Sequence, residues 1–317
     1  MKQDPRKQPA NLSPIDSNSF SRRHLLKLGA GSTLGLLAGQ ACAQRTESAS
    51  RPQSVADGRI NQSIMGWCYK DLMDVPTLAK HCKEIGLVAM EGISADNYSM
   101  IKGLGMEISL VSGAHGFKQG PCNPEYHDLV VNGLTRAIDL AKDVGCKKVI
   151  TFTGMRYPGM DDEKAAQRCI DTWKEVLPKA EKNGITLAFE HLNSRDDSHP
   201  MKGHPGYFGD DVDFCIDLVK QIGSENFKLL FDIYHVSIMN GDIIRRIRQY
   251  KDYIAHYHTA GNPGRGEIDD TQEINYKPIL DAILETGYEG YVAHEFIPTW
   301  DDPVAALRHA ADLSYFQ

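Results

Sequence analysis

Glu190, Asp232, His258 and Glu295 are the residues of this 317-residue chain whose types and spacing point to chemistry. Each stands at the end of a short, largely apolar run: 185–190, 227–232, 254–258 and 291–295. Such runs read as strands buried on both faces. If they lie parallel in one barrel, their C-terminal side chains converge on a single mouth. Three carboxylates and an imidazole gathered there repel one another unless a divalent cation sits among them. Oxygen-rich coordination with one imidazole suits Mn²⁺, Mg²⁺ or Co²⁺ better than structural zinc. The cation can polarise a substrate carbonyl, so that an adjacent C–H proton leaves and an enediolate forms. Glu190 and Glu295, from opposite sides of the mouth, fit a pair that passes this proton between adjacent carbons. Asp232 is read as a ligand only.

Taken singly, each residue has a plainer reading. A lone acid after a strand caps the next helix, and a lone histidine is a hydrogen-bonded core residue. Four ligand-type residues at equivalent positions of four consecutive strands are hard to explain that way, so the metal reading is preferred. His256, two residues before His258, faces the same way but deeper. His294 points away from Glu295, toward the helix layer, and is given no role. Substrate contacts are expected from His235, three residues past Asp232, and from Arg265, which could clamp a carboxylate or be a solvated loop charge. Glu91 closes strand 2 and His115 follows strand 3, so both could line the mouth, with Trp67 and Tyr69 as an apolar wall.

Positioning these groups requires an ordered scaffold, and the pattern supplies one. Strands are expected over 62–67, 87–91, 107–112, 147–153, 185–190, 227–232, 254–259 and 291–296. Helices are expected over 75–85, 95–104, 125–145, 162–183, 209–222, 240–250, 275–286 and 302–313. Gly86, Gly105, Gly145, Gly184 and Gly287 fall where helices should stop, and Asp74, Asn123 and Asp301 or Asp302 where they should start. Strict alternation predicts an α/β fold, a single (β/α)8 TIM barrel. An open doubly wound sheet is the runner-up, but the first strand is followed by Cys-Tyr-Lys-Asp and not by a glycine-rich phosphate turn. The long connections after strands 3, 5 and 7 (113–123, 191–208 and 260–274) are expected to build the site, with the glycine-rich 261–268 covering substrate.

The first 43 residues read differently. Ser21-Arg22-Arg23-His24-Leu25-Leu26-Lys27 precedes an uncharged stretch to Ala41, and Ala41-Cys42-Ala43 offers a small-x-small cleavage site. This is the pattern of a twin-arginine signal peptide. It implies the twin-arginine export machinery as a partner and a periplasmic or otherwise exported location. Gly39-Gln40-Ala41-Cys42 is a weak lipoprotein-like box, so a lipid-anchored form is the lesser alternative. Residues 44–60 read as a linker and 61–317 as the barrel domain. No stretch offers the roughly 20 apolar residues of a membrane span. With six basic and two acidic residues in 1–43, the formal charge of −7 leaves −11 for 44–317. That body has no electrostatic footprint for nucleic acid or an anionic membrane. A small molecule is the expected partner, and a homo-oligomer is left open. The cysteines after Cys42 show no zinc spacing. Cys146, Cys169 and Cys215 read as core thiols, with disulfides an open alternative.

Phe189-Glu190-His-Leu-Asn193, Phe231-Asp232-Ile-Tyr-His235, Ala255-His-Tyr-His258-Thr-Ala-Gly261, Gly266-Glu-Ile268, Glu273-Ile-Asn-Tyr276 and Ala293-His-Glu295-Phe resemble the hydroxypyruvate isomerase family of the xylose-isomerase-like barrels, a superfamily that also holds the ketose 3-epimerases. The resemblance covers about 62–313 and is strongest from 185 to 300. It implies ligation by Glu190, Asp232, His258 and Glu295, an acid/base pair of Glu190 and Glu295, and substrate contact by His235. The implied reaction is hydroxypyruvate to 2-hydroxy-3-oxopropanoate (tartronate semialdehyde). The third ligand is a departure: bacterial cytosolic hydroxypyruvate isomerases tend to carry Gln there, whereas His258 matches the ketose 3-epimerases. The export signal is another. The first alternative is therefore an exported ketose 3-epimerase or keto-sugar-processing enzyme, and the second a non-catalytic periplasmic sugar-binding protein.

Overall fold

The computed structural model of the protein describes residues 60–314. The signal expected over 1–43 and all but the last residue of the linker lie outside them. Eight strands form where the apolar runs stand: β1 Asn61–Met65, β2 Ala89–Glu91, β3 Glu107–Ile108, β4 Lys148–Phe152, β5 Thr186–Glu190, β6 Phe227–Asp232, β7 Ile254–Thr259 and β8 Tyr291–His294. All neighbours pair in parallel, in the order β3-β2-β1-β8-β7-β6-β5-β4. The two ends meet. Val111 bridges Val149 in parallel, and its N–H donates to the Lys148 carbonyl at 3.0 Å while its own carbonyl accepts from Ile150 at 2.9 Å. The sheet closes into a single (β/α)8 barrel, which sets aside the open doubly wound sheet.

The helices run around it as α1 Val75–Ile85, α2 Tyr98–Gly103, α3 His127–Val144, α4 Asp162–Asn183, α5 Val212–Ile222, α6 Ile233–Met239, α7 Ile243–Tyr250, α8 Tyr276–Glu285 and α9 Pro303–Ser314. Asp74 and Asp302 cap α1 and α9 as expected, accepting from Thr77 N at 2.8 Å and Val304 N at 2.9 Å, whereas Asn123 accepts from Glu125 N at 3.0 Å and caps a short 3-10 turn, Pro124–Tyr126, that leads into α3. Gly86 (φ 105°) closes α1 in the left-handed conformation that a Cβ would disfavour.

Two cores follow from the period-2 alternation of the strands. Outward-facing Phe189 and Phe227 pack on Trp173 of α4 with ring centroids 5.0 and 4.8 Å apart. Inside the barrel, Leu110, Ile150, Ala188 and Leu230 form a small separate apolar cluster. Ala188 and Leu230 lie two residues before Glu190 and Asp232, so the interior apolar layer is the floor beneath the mouth. His294 belongs to the outer layer, as expected: it contacts Thr259 Oγ1 at 2.9 Å and Gln62 Oε1 at 2.8 Å.

Several boundaries differ from the sequence expectation, each for a local reason. Helix α5 starts at Val212 because Asp211 accepts from Phe214 N at 2.9 Å. The helix expected over 240–250 is preceded by an additional one, α6, because Asp232 caps His235 N at 3.1 Å and the chain turns into helix straight from β6. Strand β8 ends at His294, one residue before Glu295. All six cysteines among the described residues are free and buried. No helix among these residues is long and apolar enough to cross a membrane.

Candidate metal centre and active site

Register places the four expected residues on one ring. Asp232 on β6 lies directly opposite His258 on β7. That pairing depends on a shift between Leu229 and Leu230: Leu229 pairs with Ile254, but Leu230 pairs with His256. Without the extra residue Tyr257 would stand opposite Asp232, and the imidazole would face the helices. Glu190 closes β5 and Glu295 follows β8 across the mouth. Each of the four offers a ligand atom, and those atoms all lie within 4.8 Å of one another. The residues are only 4%, 1%, 0% and 5% exposed in the order Glu190, Asp232, His258, Glu295.

The donors point at a shared space and not at hydrogen-bond partners. Glu190 Oε1, Glu295 Oε2 and His258 Nδ1 are buried without a properly directed hydrogen bond. His258 Nδ1 lies 2.6 Å from Glu295 Oε2 and 3.3 Å from Glu190 Oε1. Its other nitrogen, Nε2, is engaged below by Glu91 Oε1 at 2.8 Å. A carboxylate can only accept, so Nε2 carries a proton, and Nδ1, facing the acids without an ion, carries the proton whose place a bound cation would take. A ring nitrogen and several carboxylate oxygens gathered in one buried space are a donor set that could hold a cation.

The electrostatics carry the same demand for positive charge. Burial pushes the Glu190 carboxyl up to about 7, with Glu295 and Asp232 adding to the rise and His258 opposing it. Burial likewise pushes Asp232 up to about 6, against the pull of Arg265. Burial would raise Glu295 too, but Arg265 and His258 outweigh it and hold that carboxyl at about 2. Burial disfavours a charged His258, yet Glu295 and the hydrogen-bonding carboxylates draw it well above the usual histidine value. A divalent cation held here would favour the ionised forms of Glu190 and Asp232 and take over the compensation that His258 gives Glu295.

The surrounding residues take places that the sequence assigned less well. Arg265 is neither a solvated charge nor free to clamp a substrate. It is 2% exposed, its Nη2 lies 2.6 Å from Glu295 Oε2 and 3.4 Å from Asp232 Oδ2, and its Nη1 donates to the Met201 carbonyl at 2.7 Å. Its guanidinium also lies 5.5 Å from the Trp67 ring centre and 5.6 Å from that of Tyr234. Glu91 does not reach the mouth; it is 1% exposed and bound to His258, His256 and Ser109 in the barrel interior. Burial works against its charge, but His256 and His258 hold the carboxyl well below the usual range. His235 is fully buried. Its Nδ1 accepts from Asn193 N at 3.0 Å, so Nε2 carries the proton and faces Asp232 Oδ2 at 3.6 Å. His115 lines the mouth, but both nitrogens are in use: Nδ1 donates to the Gln119 carbonyl at 3.1 Å and Nε2 accepts from Thr151 Oγ1 at 3.0 Å.

Three contributors went unassigned or only half-assigned in the sequence. Trp67 Nε1 donates to Glu295 Oε1 at 3.0 Å, which fixes the carboxylate as well as walling the site. Tyr207 OH donates to the Glu190 carbonyl at 2.8 Å and accepts from Thr153 N at 3.0 Å, anchoring the end of β5. His204, on the long connection after β5, stacks on Phe117 at 4.1 Å between ring centres and lines the mouth. Neither Tyr207 nor His204 lies at a strand end, so position gave no signal.

A cavity of about 360 Å³ opens above Glu190, Glu295 and Arg265. Its other walls are mostly apolar, with Trp67, Ile93, Phe117, Phe152, Leu192 and Met201 among them, and among the described residues Arg265 is the one arginine or lysine that lines it.

The sequence profile of the xylose isomerase-like TIM barrel matches residues 82–315, well over half of the chain. A hydroxypyruvate isomerase of Escherichia coli is 28% identical over 190 residues, covering 57% of this chain and 70% of that protein. A 2-oxo-tetronate isomerase of Cupriavidus necator is 28% identical over 163 residues, 51% of this chain and 60% of that protein. The aligned stretch thus spans about 60 to 70% of these curated relatives. Among solved structures, an AP endonuclease, family 2, from Brucella melitensis superposes with a TM-score of 0.68 at 22% identity, over 79% of this chain and 97% of that one. An L-ribulose 3-epimerase gives 0.65 at 18%, over 79% and 92%. At these identities the structures share the fold alone, and it is the profile match along the barrel that assigns membership: the chain belongs to the xylose isomerase-like TIM barrel family.

Proposed function

We propose that the protein is a metal-dependent isomerase or epimerase that removes a proton from the carbon beside the carbonyl of an α-hydroxy-carbonyl compound and returns one to the neighbouring carbon or to the opposite face of the same carbon. The observation that carries this is the convergence of Glu190, Asp232, His258 and Glu295 within 4.8 Å beneath the open cavity at the barrel mouth. A divalent cation of the Mn²⁺, Mg²⁺ or Co²⁺ class, held by these four, supplies Lewis-acid polarisation of the substrate carbonyl. Glu190 and Glu295 stand on opposite sides of the mouth. One takes the proton from the carbon beside the carbonyl, and the other returns a proton to the neighbouring carbon or to the opposite face. Trp67 holds Glu295 in place for this. In the isomerisation the hydroxyl proton also shifts between the two substrate oxygens, in the epimerisation the carbonyl stays in place, and neither needs an oxidant or reductant. The apolar walls exclude water that would otherwise compete for the proton.

Two readings of the substrate follow. The names of the Escherichia coli and Cupriavidus necator relatives support a short hydroxy-keto or keto-aldehyde acid, with hydroxypyruvate to tartronate semialdehyde as the first assignment. The cavity favours a second, a ketose or keto-sugar. A volume of about 360 Å³ exceeds what seven non-hydrogen atoms of hydroxypyruvate fill, roughly 200 Å³ even at the ~30 Å³ of a liquid water each. Arg265, the one arginine or lysine among the described residues that line it, is already paired with Glu295 and Asp232. A neutral sugar face would also suit Trp67 and Phe117. Export through the twin-arginine route, read from residues 21–43, agrees better with the second.

The test is turnover of the Mn²⁺-loaded protein in deuterium oxide with hydroxypyruvate, free ketoses and 3-keto-sugars. Solvent deuterium at the reacting carbon is the expected result. Turnover of every active substrate without exchange would count against the glutamate pair. Glu295→Gln separates an enzyme, which loses turnover, from a sugar-binding protein, which keeps its affinity.

A further inference from the structure

Below the metal-binding ring lies a buried cluster that the proposed chemistry does not use. Glu91, from β2, reaches across the barrel interior to β7. Its carboxylate meets His258 Nε2 at 2.8 Å and His256 Nε2 at 2.9 Å, and it also accepts from the Ser109 hydroxyl. Ser109 in turn contacts the Ser63 hydroxyl. Glu91, His256 and His258 are 1%, 0% and 0% exposed, and Ser63 and Ser109 are at most 2% exposed. The three groups could themselves be taken for a small metal site. They have no need of an ion: three donors meet the two oxygens of one carboxylate, which accounts for every close contact there.

We propose that Glu91 is a positioning residue for the metal centre. It locks His258 in the tautomer and rotation that aim Nδ1 at Glu190, Asp232 and Glu295, and its charge makes that nitrogen a stronger donor. The argument is geometric. An imidazole with a free Nε2 could carry its proton on either nitrogen, and with the proton on Nδ1 it could not bind a cation there. A carboxylate at Nε2 removes that choice, because it offers only acceptors. His256 and Ser109 hold the carboxylate from its other side, so it cannot swing away from His258. The sequence separation of 167 residues between Glu91 and His258 makes this a tie across the barrel and not a local turn.

The inference rests on the reading that His258 ligates a cation, and the test separates the two. Mn²⁺ and Co²⁺ binding to the metal-stripped protein would be measured by titration calorimetry and by the visible spectrum of the Co²⁺ form. Glu91→Gln keeps the shape but puts an amide where an acceptor is needed, so one histidine must reverse its tautomer. Metal affinity is expected to fall ~10- to 100-fold, as for other supports of metal-bound histidine, with a changed Co²⁺ spectrum and an unchanged circular dichroism spectrum. Glu91→Asp, in case the glutamine variant does not fold, keeps the charge but withdraws it from His258, and a loss of the same sign is expected. A folded variant that binds Mn²⁺ and Co²⁺ as tightly as the parent, with the same Co²⁺ spectrum, would overturn the assignment of Glu91. Failure of the parent itself to bind either ion would overturn the metal reading instead.

Discussion

Replacing Arg265 by methionine tests whether the ring of acids is organised around positive charge. The guanidinium is 2% exposed and lies 2.6 Å from Glu295 Oε2 and 3.4 Å from Asp232 Oδ2. Methionine keeps much of the stem against Trp67 and Tyr234 but deletes the charge. It meets the same left-handed backbone (φ 55°) as any other L side chain, so backbone strain does not change sign. Breaking a buried pair from one side typically costs ~3–5 kcal/mol, because the remaining charge is left uncompensated. For a domain of this size each kcal/mol corresponds to ~2–4 °C, so the metal-stripped variant should melt ~6–20 °C below the parent. Added Mn²⁺ should restore much of that. At 100 times its Kd an ion stabilises a protein by ~2.7 kcal/mol, and the variant should gain more than the parent because Glu295 and Asp232 no longer share their oxygens with Arg265. The assay is differential scanning fluorimetry of both proteins at pH 7.5, with EDTA and across a Mn²⁺ series. Equal melting temperatures without metal, or an equal metal-induced rise in both, would refute the idea that Arg265 and the cation compensate the same carboxylates.

Other consequences are checked as directly. Glu190→Gln and Glu295→Gln should each reduce turnover ~10²- to 10⁴-fold, with solvent deuterium exchange lost in parallel as read by proton NMR. In the metal-free protein, Glu190 and Asp232 have folded-state values of about 7 and 6, above their ordinary 4.5 and 3.8, so the folded state holds extra protons in that window. Stability without metal should therefore fall as pH rises from about 4.5 to 7, and should not fall in saturating Mn²⁺. A metal-free melting temperature that climbs across that window would contradict the burial of these acids. Glu295, held at about 2, acts in the other direction: its contribution is complete above pH 4.5 and is lost as pH falls toward 2. His204→Phe, which preserves the stack on Phe117 but removes both ring nitrogens, should raise KM several-fold for the true substrate and leave kcat within a factor of about three.

The convergence of Glu190, Asp232, His258 and Glu295 was legible because its signal is positional. A parallel barrel puts strand C-termini at one mouth, and each of the four is the last or nearly last residue of an apolar run. The helix stops at glycine and starts at aspartate or asparagine were legible for the same reason, being decided within a few residues. What could not be read depends on contacts between distant segments. Arg265 looked equally like a solvated loop charge, because nothing near it in sequence reveals that the connection after β7 turns its guanidinium inward onto Glu295. Glu91 stood at a strand end and was read as a mouth residue, yet its reach to His258 depends on the closure of the barrel. The register shift at Leu229 and Leu230 leaves no mark in composition, although it decides that His258 and not Tyr257 faces Asp232. Helix α6 was missed because Asp232 serves two ends at once, capping with Oδ1 while Oδ2 faces Arg265.

The central claim is a cation held by Glu190, Asp232, His258 and Glu295, and anomalous X-ray scattering tests it most directly. Crystals of the dialysed, Mn²⁺-loaded protein should show one strong peak per chain, roughly 2 Å from an oxygen of each acid and from His258 Nδ1. A well-ordered mouth without a peak in fully loaded protein, or an ion bound elsewhere with His258 turned away, would contradict the account.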